Sequence, residues 1–291
     1  MSLSDYEYLV DFILKNPKDR LGIIGGEPTL HPKFIDIIKI AEEKSKNKNK
    51  IVTIFTNGIE LEQFLPYIHE DVTQILLNYN DPNSMTKIQA SKLQNTLDAI
   101  NELGRFKNET VTIGCNIHLN CQNYNYLWEI VDKYNIKKIR CSVVSPGGIY
   151  KLWKTKKEEY YNLLKPIFLK VCMEANLHQC TLSMDCGHIP LCYFSEEEKE
   201  IINNNCIFNN CYDVCPSIID FTTDLKVTAC FGAYYPVEYS KFTNTQSISF
   251  YLTNNYNKKL AKLNNEGKCS TCSSHKEGKC QGGCLSFASP I

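Results

Sequence analysis

The chain has 291 residues with 32 basic and 32 acidic side chains, so its formal net charge is zero. This length allows one large domain or one and a half, and the balanced charge predicts neither a nucleic-acid nor an anionic-membrane partner. Acidic residues interrupt the first apolar positions, and no apolar run approaches the roughly 18–20 residues that cross a bilayer. We therefore expect no signal peptide and a soluble, cytoplasmic protein.

The first half of the chain alternates predicted helices with predicted strands. Ser4 and Glu7 form a capping-box pattern ahead of the first helix. Strands rich in β-branched residues are predicted at 21–25, 51–56, 73–79, 110–118 and 138–144. Helical patterns lie between them, the later ones at 61–68, 85–103 and 126–134. This alternation indicates βα units around a parallel sheet.

Two further helices are marked by polar residues at their starts. Thr155 and Glu158 form a capping-box pattern in the helical stretch 151–176, which follows the last predicted strand. Ser195 and Glu198 form the same pattern ahead of a later charged helix. We expect both helices to begin at these residues.

Small or polar residues stand at the ends of the predicted strands. In parallel α/β folds, ligands bind at the carboxyl ends of the strands. Glycines at such an end leave the backbone open to a ligand, although Gly-Gly-Glu alone also suits a tight strand-to-helix turn. The strand ends in question are Gly25, Gly26, Glu27, Pro28, Asn57, Asn78 and Asn116.

Cysteine is the unusual component of this chain. Fifteen cysteines occur with six histidines, and none of the cysteines precedes Cys115. In a reducing compartment, clustered cysteines indicate metal binding or redox chemistry rather than disulfides. The clustered cysteines are Cys206, Cys211, Cys215 and Cys230, followed by Cys269, Cys272, Cys280 and Cys284 in the tail.

The tail CSTCSSHKEGKCQGGC predicts a metal centre. A two-residue spacer lets two thiolates bind one metal, and Gly282 and Gly283 let the backbone curl tightly around it. The spacing suits all-cysteine zinc sites as well as iron–sulfur clusters. Buried core thiols are expected instead at Cys115, Cys121, Cys141, Cys172 and Cys180, whereas Cys186 and Cys192 are assigned to neither role.

The string GGEPTLHP, residues 25–32, resembles the β2 motif of the radical S-adenosylmethionine (SAM) enzymes. In that family the backbone of the motif binds the amino group of SAM at the top of a partial (β/α)6 barrel. The strand-ending TNG and the order of the βα units are similar as well. The resemblance implies that Gly25, Gly26, Glu27 and Pro28 line a SAM site, with Asn57, Asn78 and Asn116 as further candidates.

The cysteine-rich region resembles the SPASM or twitch extension of those enzymes, which holds auxiliary [4Fe-4S] clusters. The resemblance implies that Cys215, Cys230 and Cys284 bind a first cluster with Cys211 or Cys206. It also implies that Cys269, Cys272 and Cys280 are the first ligands of a second cluster. The sequence departs from the family pattern, because Leu225 replaces the usual glycine and no cysteine follows Cys284. The alternative is a single cluster bound by Cys215, Cys230, Cys269 and Cys272.

The family's CxxxCxxC loop, which holds the SAM cluster, has no counterpart before Cys115. We expect the chain to be an N-terminally truncated form, and a degenerate relative is the alternative. The expected fold is α/β: residues 1–181 form a partial TIM-like barrel without its first strand, and 182–291 form a small cysteine-rich cluster domain.

The resemblance also implies an activity for the intact protein. It would cleave SAM to a 5′-deoxyadenosyl radical that abstracts hydrogen, with a peptide or protein as the preferred substrate. A flavodoxin or ferredoxin would donate electrons. The alternative is a non-catalytic zinc- or cluster-binding module with a degenerate barrel.

Overall fold

The computed structural model describes residues 1–144, 156–186, 189–208, 215 and 218–288. The helices in these ranges are α1 (Leu3–Leu14), α2 (Phe34–Lys46), α3 (Lys87–Glu102), α4 (Asn125–Tyr134), α5 (Lys157–Leu177), α6 (Glu196–Asn205), α7 (Thr245–Leu252), α8 (Lys258–Leu263) and α9 (Ser273–Lys276). None of these helices has the length and apolar character that a membrane-spanning segment needs.

The strands of the described ranges fall into two sheets. They are β1 (Leu21–Ile23), β2 (Val52–Thr56), β3 (Thr73–Asn78), β4 (Val111–Ile117), β5 (Lys138–Val143), β6 (Thr181–Cys186), β7 (Cys206–Phe208), β8 (Asp220–Phe221), β9 (Lys226–Thr228) and β10 (Val237–Glu238). The first seven form one sheet in chain order, and the last three form an antiparallel sheet in the order β10-β9-β8.

The larger sheet has the topology that the sequence predicts. The pairs β1–β2, β2–β3, β3–β4 and β6–β7 are parallel, and each strand lies beside the next one along the chain. Parallel neighbours need a crossover, which α2 and α3 supply in the first half. The α/β class and the five predicted strands are confirmed. The strands β6 and β7 extend the sheet beyond what the sequence analysis predicted.

The helix starts test the predicted capping boxes. The capping box predicted at Ser4 is wrong, because α1 begins at Leu3. The Ser2 hydroxyl instead accepts a hydrogen bond from the Asp5 amide at 3.1 Å. Ser2 and Asp5 repeat the same spacing two residues earlier, so they cap a longer helix. Ser195 and Glu198 form the predicted box at the start of α6. The helix α5 begins at Lys157, and Thr155 lies outside the described residues.

The chain divides into two compact units. The first comprises Met1–Cys115 with Asn123–Arg140, and the second comprises Asn116–Gln122 with Cys141–Ile291. In the first unit, apolar residues of α1, α2, β1 and β2 share a core with the residue before β3: Val10, Leu14, Leu21, Ala41, Val52 and Val72. In the second, a smaller apolar cluster consists of Ala233, Tyr256, Leu260 and Leu285. A domain boundary at residue 181 stays a prediction.

Candidate functional site

The turn after β1 leaves its backbone open to solvent. Gly25 has φ +89°, a conformation that favours glycine, whereas Gly26 has no such requirement. A Cβ added at either glycine would meet no atom within 4 Å. Both residues are exposed at the carboxyl end of the strand. The backbone amides and carbonyls here are therefore accessible to a ligand.

Glu27 fixes this turn from within the protein. Its Oε1 accepts hydrogen bonds from the Thr29 amide (3.2 Å), the Thr29 hydroxyl (2.6 Å) and the Thr56 hydroxyl (2.7 Å). Its Oε2 accepts the Asn57 amide at 2.7 Å. The carboxylate thus ties the end of β1 to the end of β2. Sequence reasoning predicted Glu27 in the site, and its contacts assign it a positioning role.

The other predicted residues of the first unit lie along the same edge of the sheet. Pro28 is buried at the start of a 3₁₀ turn that Glu27 caps. The Asn57 side chain accepts the Ile59 amide at 2.9 Å and closes the turn after β2. Asn78 is the last residue of β3 and lies opposite Gly114 in β4.

Gly114 makes room for the Asn78 amide group. A Cβ at position 114 would lie 2.8 Å from Asn78 Oδ1 and 2.8 Å from a methyl group of Leu76. Sequence reasoning missed this residue, although a glycine inside a strand pattern signals a close approach. Asn116 belongs to the second unit and is considered separately from this edge.

In the second unit, the structure brings together cysteines that the family resemblance assigns to the first cluster. Cys215 and Cys230 both pack against the cluster of Ala233, Tyr256, Leu260 and Leu285, and Leu285 directly follows Cys284. The Cys215 amide donates to the Gln281 side chain at 2.8 Å, which joins this segment to the tail. Cys211 lies outside the described residues.

Backbone amides and a hydroxyl contact the sulfurs of three predicted ligands. The Cys230 sulfur accepts the Gly232 amide at 3.3 Å, and the Cys280 sulfur accepts the Gly282 amide at 3.3 Å. The Cys284 sulfur lies 3.1 Å from the Ser286 hydroxyl. Backbone amides in such positions can also hydrogen-bond to the sulfurs of a bound metal centre.

The two glycines of CQGGC are required by the fold. Gly282 has φ +78°, and a Cβ there would collide with the Asn264 carbonyl and lie 3.3 Å from the Cys269 sulfur. Gly283 has φ +91°, and a Cβ there would lie 2.5 Å from the Tyr161 hydroxyl. Tyr161 is 1% exposed, and its hydroxyl accepts the Cys284 amide at 3.0 Å. The tail is thus curled tightly, as the sequence predicts.

Other thiols of the chain serve the core. Cys115, Cys141, Cys172 and Cys180 are buried, and Cys121 is partly exposed. The Cys172 and Cys206 sulfurs lie 3.5 Å apart, and this contact together with burial raises the pKa of the Cys172 thiol. Because the Cys206 sulfur contacts Cys172, we expect Cys211 rather than Cys206 to be the upstream ligand of the first cluster.

Cys192 lies near the tail cysteines. Burial raises the pKa of its thiol, and the thiols of Cys269 and Cys280 raise it further, while Lys268 lowers it. Sequence reasoning left Cys192 unassigned, because it precedes the spaced array and follows no ligand pattern.

The cysteines fit a metal centre in donor type and in the glycine-lined backbone around them. Within the described ranges, however, no three Cys, His, Asp or Glu side chains are grouped so that they could hold a metal ion.

Solved structures of other proteins have a fold similar to that of this chain. No protein-family model matches the chain, and no curated protein matches it. Its α/β fold is similar to that of Streptococcus suis SuiB bound to S-adenosylmethionine, with a TM-score of 0.63 and 14% identity over 98% of this chain. A further SuiB crystal structure has a TM-score of 0.56 and 14% identity over 83% of this chain. SuiB bound to precursor peptide SuiA has a TM-score of 0.53 and 15% identity over 79% of this chain.

The chain spans only part of these neighbours. It covers 66%, 58% and 53% of the three SuiB chains, in the same order. At this level of identity the likeness establishes the fold alone.

Proposed function

We propose that this chain carries the SAM-binding partial barrel and the auxiliary cluster domain of a radical SAM enzyme. The observation that carries the proposal is the open Gly25–Gly26 backbone at the carboxyl end of β1, held in place by the Glu27 carboxylate. The similarity in fold to SAM-bound SuiB supports it. The barrel would span residues 1–181, and the cluster domain 182–291.

The residues at the sheet edge would take separate roles. The Gly25 and Gly26 backbone would bind the SAM amino group, because no side chain obstructs it. Glu27 and Pro28 would fix the turn, and Asn57 and Asn78 would contribute polar groups. When bound, the family's site cluster supplies the electron that cleaves SAM.

The cysteines would hold one or two auxiliary clusters. Cys211, Cys215, Cys230 and Cys284 would bind the first, and Cys269, Cys272 and Cys280 would bind the second. The packing of Cys215 and Cys230 on one apolar cluster supports the first set, and the tight glycine turn beside Cys280 supports the second.

A peptide is the substrate class that we propose. SuiB bound to precursor peptide SuiA has a similar fold, which supports this choice. A small electron-transfer protein such as a flavodoxin or ferredoxin would supply electrons.

SAM binding to the Gly25–Gly26 turn gives the direct test. Gly26→Val adds a side chain into open space, so it should leave folding intact and weaken SAM binding at least tenfold in equilibrium dialysis. Asn108→Val, at an exposed turn ahead of β4, is the control and should bind SAM like the unaltered chain. Equal SAM binding by the Gly26→Val and Asn108→Val proteins would refute the proposed site.

A non-catalytic metal-binding module is the second candidate, favoured by the lack of cysteine before Cys115. The two functions differ in the metal that the thiols hold. Iron, acid-labile sulfide and zinc should be measured per chain after anaerobic reconstitution. About four or more irons with matching sulfide support the radical SAM proposal. Zinc without sulfide supports the module.

A further inference from the structure

The turn after β2 is held by the helix α3 as well as by Glu27. Thr96 lies on the buried face of α3 and is itself fully buried. Its hydroxyl donates to the Gly58 carbonyl at 2.8 Å. A threonine inside a helix often bonds a carbonyl of the preceding turn, whereas this one bonds a residue 38 positions earlier in the chain. The contact therefore joins α3 to the turn after β2.

Gly58 allows α3 to approach this turn closely. It has φ +78°, and a Cβ there would lie 2.8 Å from a Leu77 methyl carbon and 3.0 Å from a Leu93 methyl carbon. Leu93 precedes Thr96 by three residues, so the two side chains share a face of the helix. Because glycine suits both the backbone conformation and the short contacts, the Gly58 carbonyl lies within reach of the Thr96 hydroxyl.

Gly58 is hydrogen-bonded through its amide as well as through its carbonyl. The amide donates to the Thr56 hydroxyl at 3.1 Å, and that hydroxyl donates to Glu27 Oε1 at 2.7 Å. A chain of hydrogen bonds thus runs from the Glu27 carboxylate to the Thr96 hydroxyl. Thr56, Gly58 and Thr96 are buried, so these bonds are shielded from water.

The Asn57 side chain is the part of this turn that a ligand can contact. It is partly exposed, and its oxygen accepts the Ile59 amide at 2.9 Å. Among the described residues, no acceptor is hydrogen-bonded to its amide nitrogen. The nitrogen can therefore donate to an oxygen of a ligand bound at this edge of the sheet. Its direction depends on Gly58, because the two residues share a peptide group.

We propose that Thr96 is a positioning residue of the SAM site and holds the Asn57 side chain in the orientation that SAM binding needs. The inference rests on the proposed function and adds a residue of α3 to it. Without the Thr96 hydroxyl, the Gly58 carbonyl keeps only its longer bond to the Leu61 amide, at 3.3 Å. The turn then populates other orientations, and the apparent affinity for SAM falls with the fraction of molecules in the binding-competent one.

Thr96→Val tests the role of the hydroxyl, because valine keeps the branched shape of the side chain. The dissociation constant for SAM in equilibrium dialysis should rise about three- to tenfold, which corresponds to the loss of one hydrogen bond. Thr96→Ser keeps the hydroxyl and should bind SAM within about twofold of the unaltered chain.

Thr73→Val is the matched control, because Thr73 is a fully buried threonine at the start of β3. Its hydroxyl donates to Glu42 Oε1 at 2.6 Å. It pairs with Val52, the first residue of β2, at the edge of the sheet opposite the proposed site. Thr73→Val should lower the free energy of unfolding in urea and yet bind SAM like the unaltered chain.

Hydrogen exchange tests the contact without SAM. Amide exchange of residues 56–61, followed by mass spectrometry, should become faster in Thr96→Val than in Thr73→Val, because only the first variant releases this turn. Equal exchange of this segment in the two variants would show that the hydroxyl does not hold the turn.

The SAM-binding results separate this inference from the proposed function. Weaker binding by Thr96→Val, with normal binding by Thr96→Ser and Thr73→Val, supports the inference. If Thr96→Ser or Thr73→Val weakens binding as much as Thr96→Val does, the Thr96 hydroxyl is not the cause. Weaker binding by Gly26→Val together with normal binding by Thr96→Val overturns only the role of Thr96. Normal binding by Gly26→Val refutes the SAM site and this inference with it.

Discussion

At the scale of single residues, Leu225 has a backbone conformation that favours glycine. Leu225 has φ +60° in the turn between β8 and β9. Its amide donates to the Thr222 carbonyl at 3.0 Å, and the Thr222 amide donates to the Lys226 carbonyl at 2.8 Å. The turn therefore has a shape that suits glycine, although a leucine occupies it.

We expect this conformation to cost stability. An L-residue in the left-handed region is about 1 kcal/mol less favourable than glycine. Leu225→Gly should therefore unfold at a higher urea concentration than Leu225→Ala, which removes the same packing but keeps the Cβ. A free energy of unfolding no greater for the glycine variant than for the alanine variant would contradict the explanation.

Glu27 gives a second prediction at this scale. Its carboxylate accepts four hydrogen bonds, so Glu27→Gln turns an acceptor oxygen into a donor that faces other donors. The free energy of unfolding should fall by about 1–3 kcal/mol in urea denaturation. Glu43→Gln on the exposed side of α2 is the control. Equal stability of the two variants would mean that Glu27 does not hold the turn.

The residue-scale predictions succeeded where the signal was local. The capping box at Ser195 needs only neighbouring residues, and it is present. The box at Ser4 failed because Ser2 offers the same spacing and a longer helix. The contacts of Lys157 carry no sequence signal, because the residues that accept its hydrogen bonds, Asn264 and Cys269, lie far along the chain.

At the scale of elements, regular alternation revealed five strands but not the last two of the sheet. The strand β7 has only three residues, Cys206–Phe208, and its cysteine suggested a ligand rather than a core position. The strand β6 also ends in a cysteine, Cys186. Cysteine serves both as a small apolar residue and as a ligand, so composition alone could not separate the two roles.

The helices α3 and α4 are joined by one carboxylate. Asp98 accepts hydrogen bonds from Tyr134 (2.7 Å), Lys133 (2.9 Å) and Gln94 (3.0 Å). These bonds, chiefly that from Tyr134, lower the pKa of Asp98 to about 2. Since the folded pKa is below the unfolded value of about 4, the stabilisation is complete above the unfolded value and is lost as pH falls through about 2.

Asp98→Asn should remove this pH dependence. The unaltered chain should be more stable than the variant at pH 7, and the difference should shrink from about pH 4 downward. Urea denaturation of both proteins at pH 7 and pH 3 measures it. Glu102→Gln, exposed at the end of α3, should show no such change. The same difference in stability at pH 7 and pH 3 would show that the Asp98 carboxylate does not cause the pH dependence.

At the scale of the whole molecule, the predicted metal ligands all lie in the second unit. Metal binding adds its free energy to the unit that holds it. Zinc should therefore slow hydrogen exchange at residues 264–284 and leave residues 21–58 unchanged, as measured by mass spectrometry. Magnesium, which prefers oxygen ligands, is the control and should have no effect. Protection by zinc spread evenly over both segments would contradict the assignment.

Lys157 lies far along the chain from Asn264 and Cys269, which accept its hydrogen bonds, so these contacts form late in synthesis. The seven sheet strands lie side by side in the order in which they are synthesised. Lys157, by contrast, meets Asn264 and Cys269 only 107 and 112 residues later. At usual translation rates this delay lasts about 5–20 s, during which the ammonium stays in water and the start of α5 stays open. Metal supplied to the nascent chain before Asn264 and Cys269 are made would therefore find no finished centre.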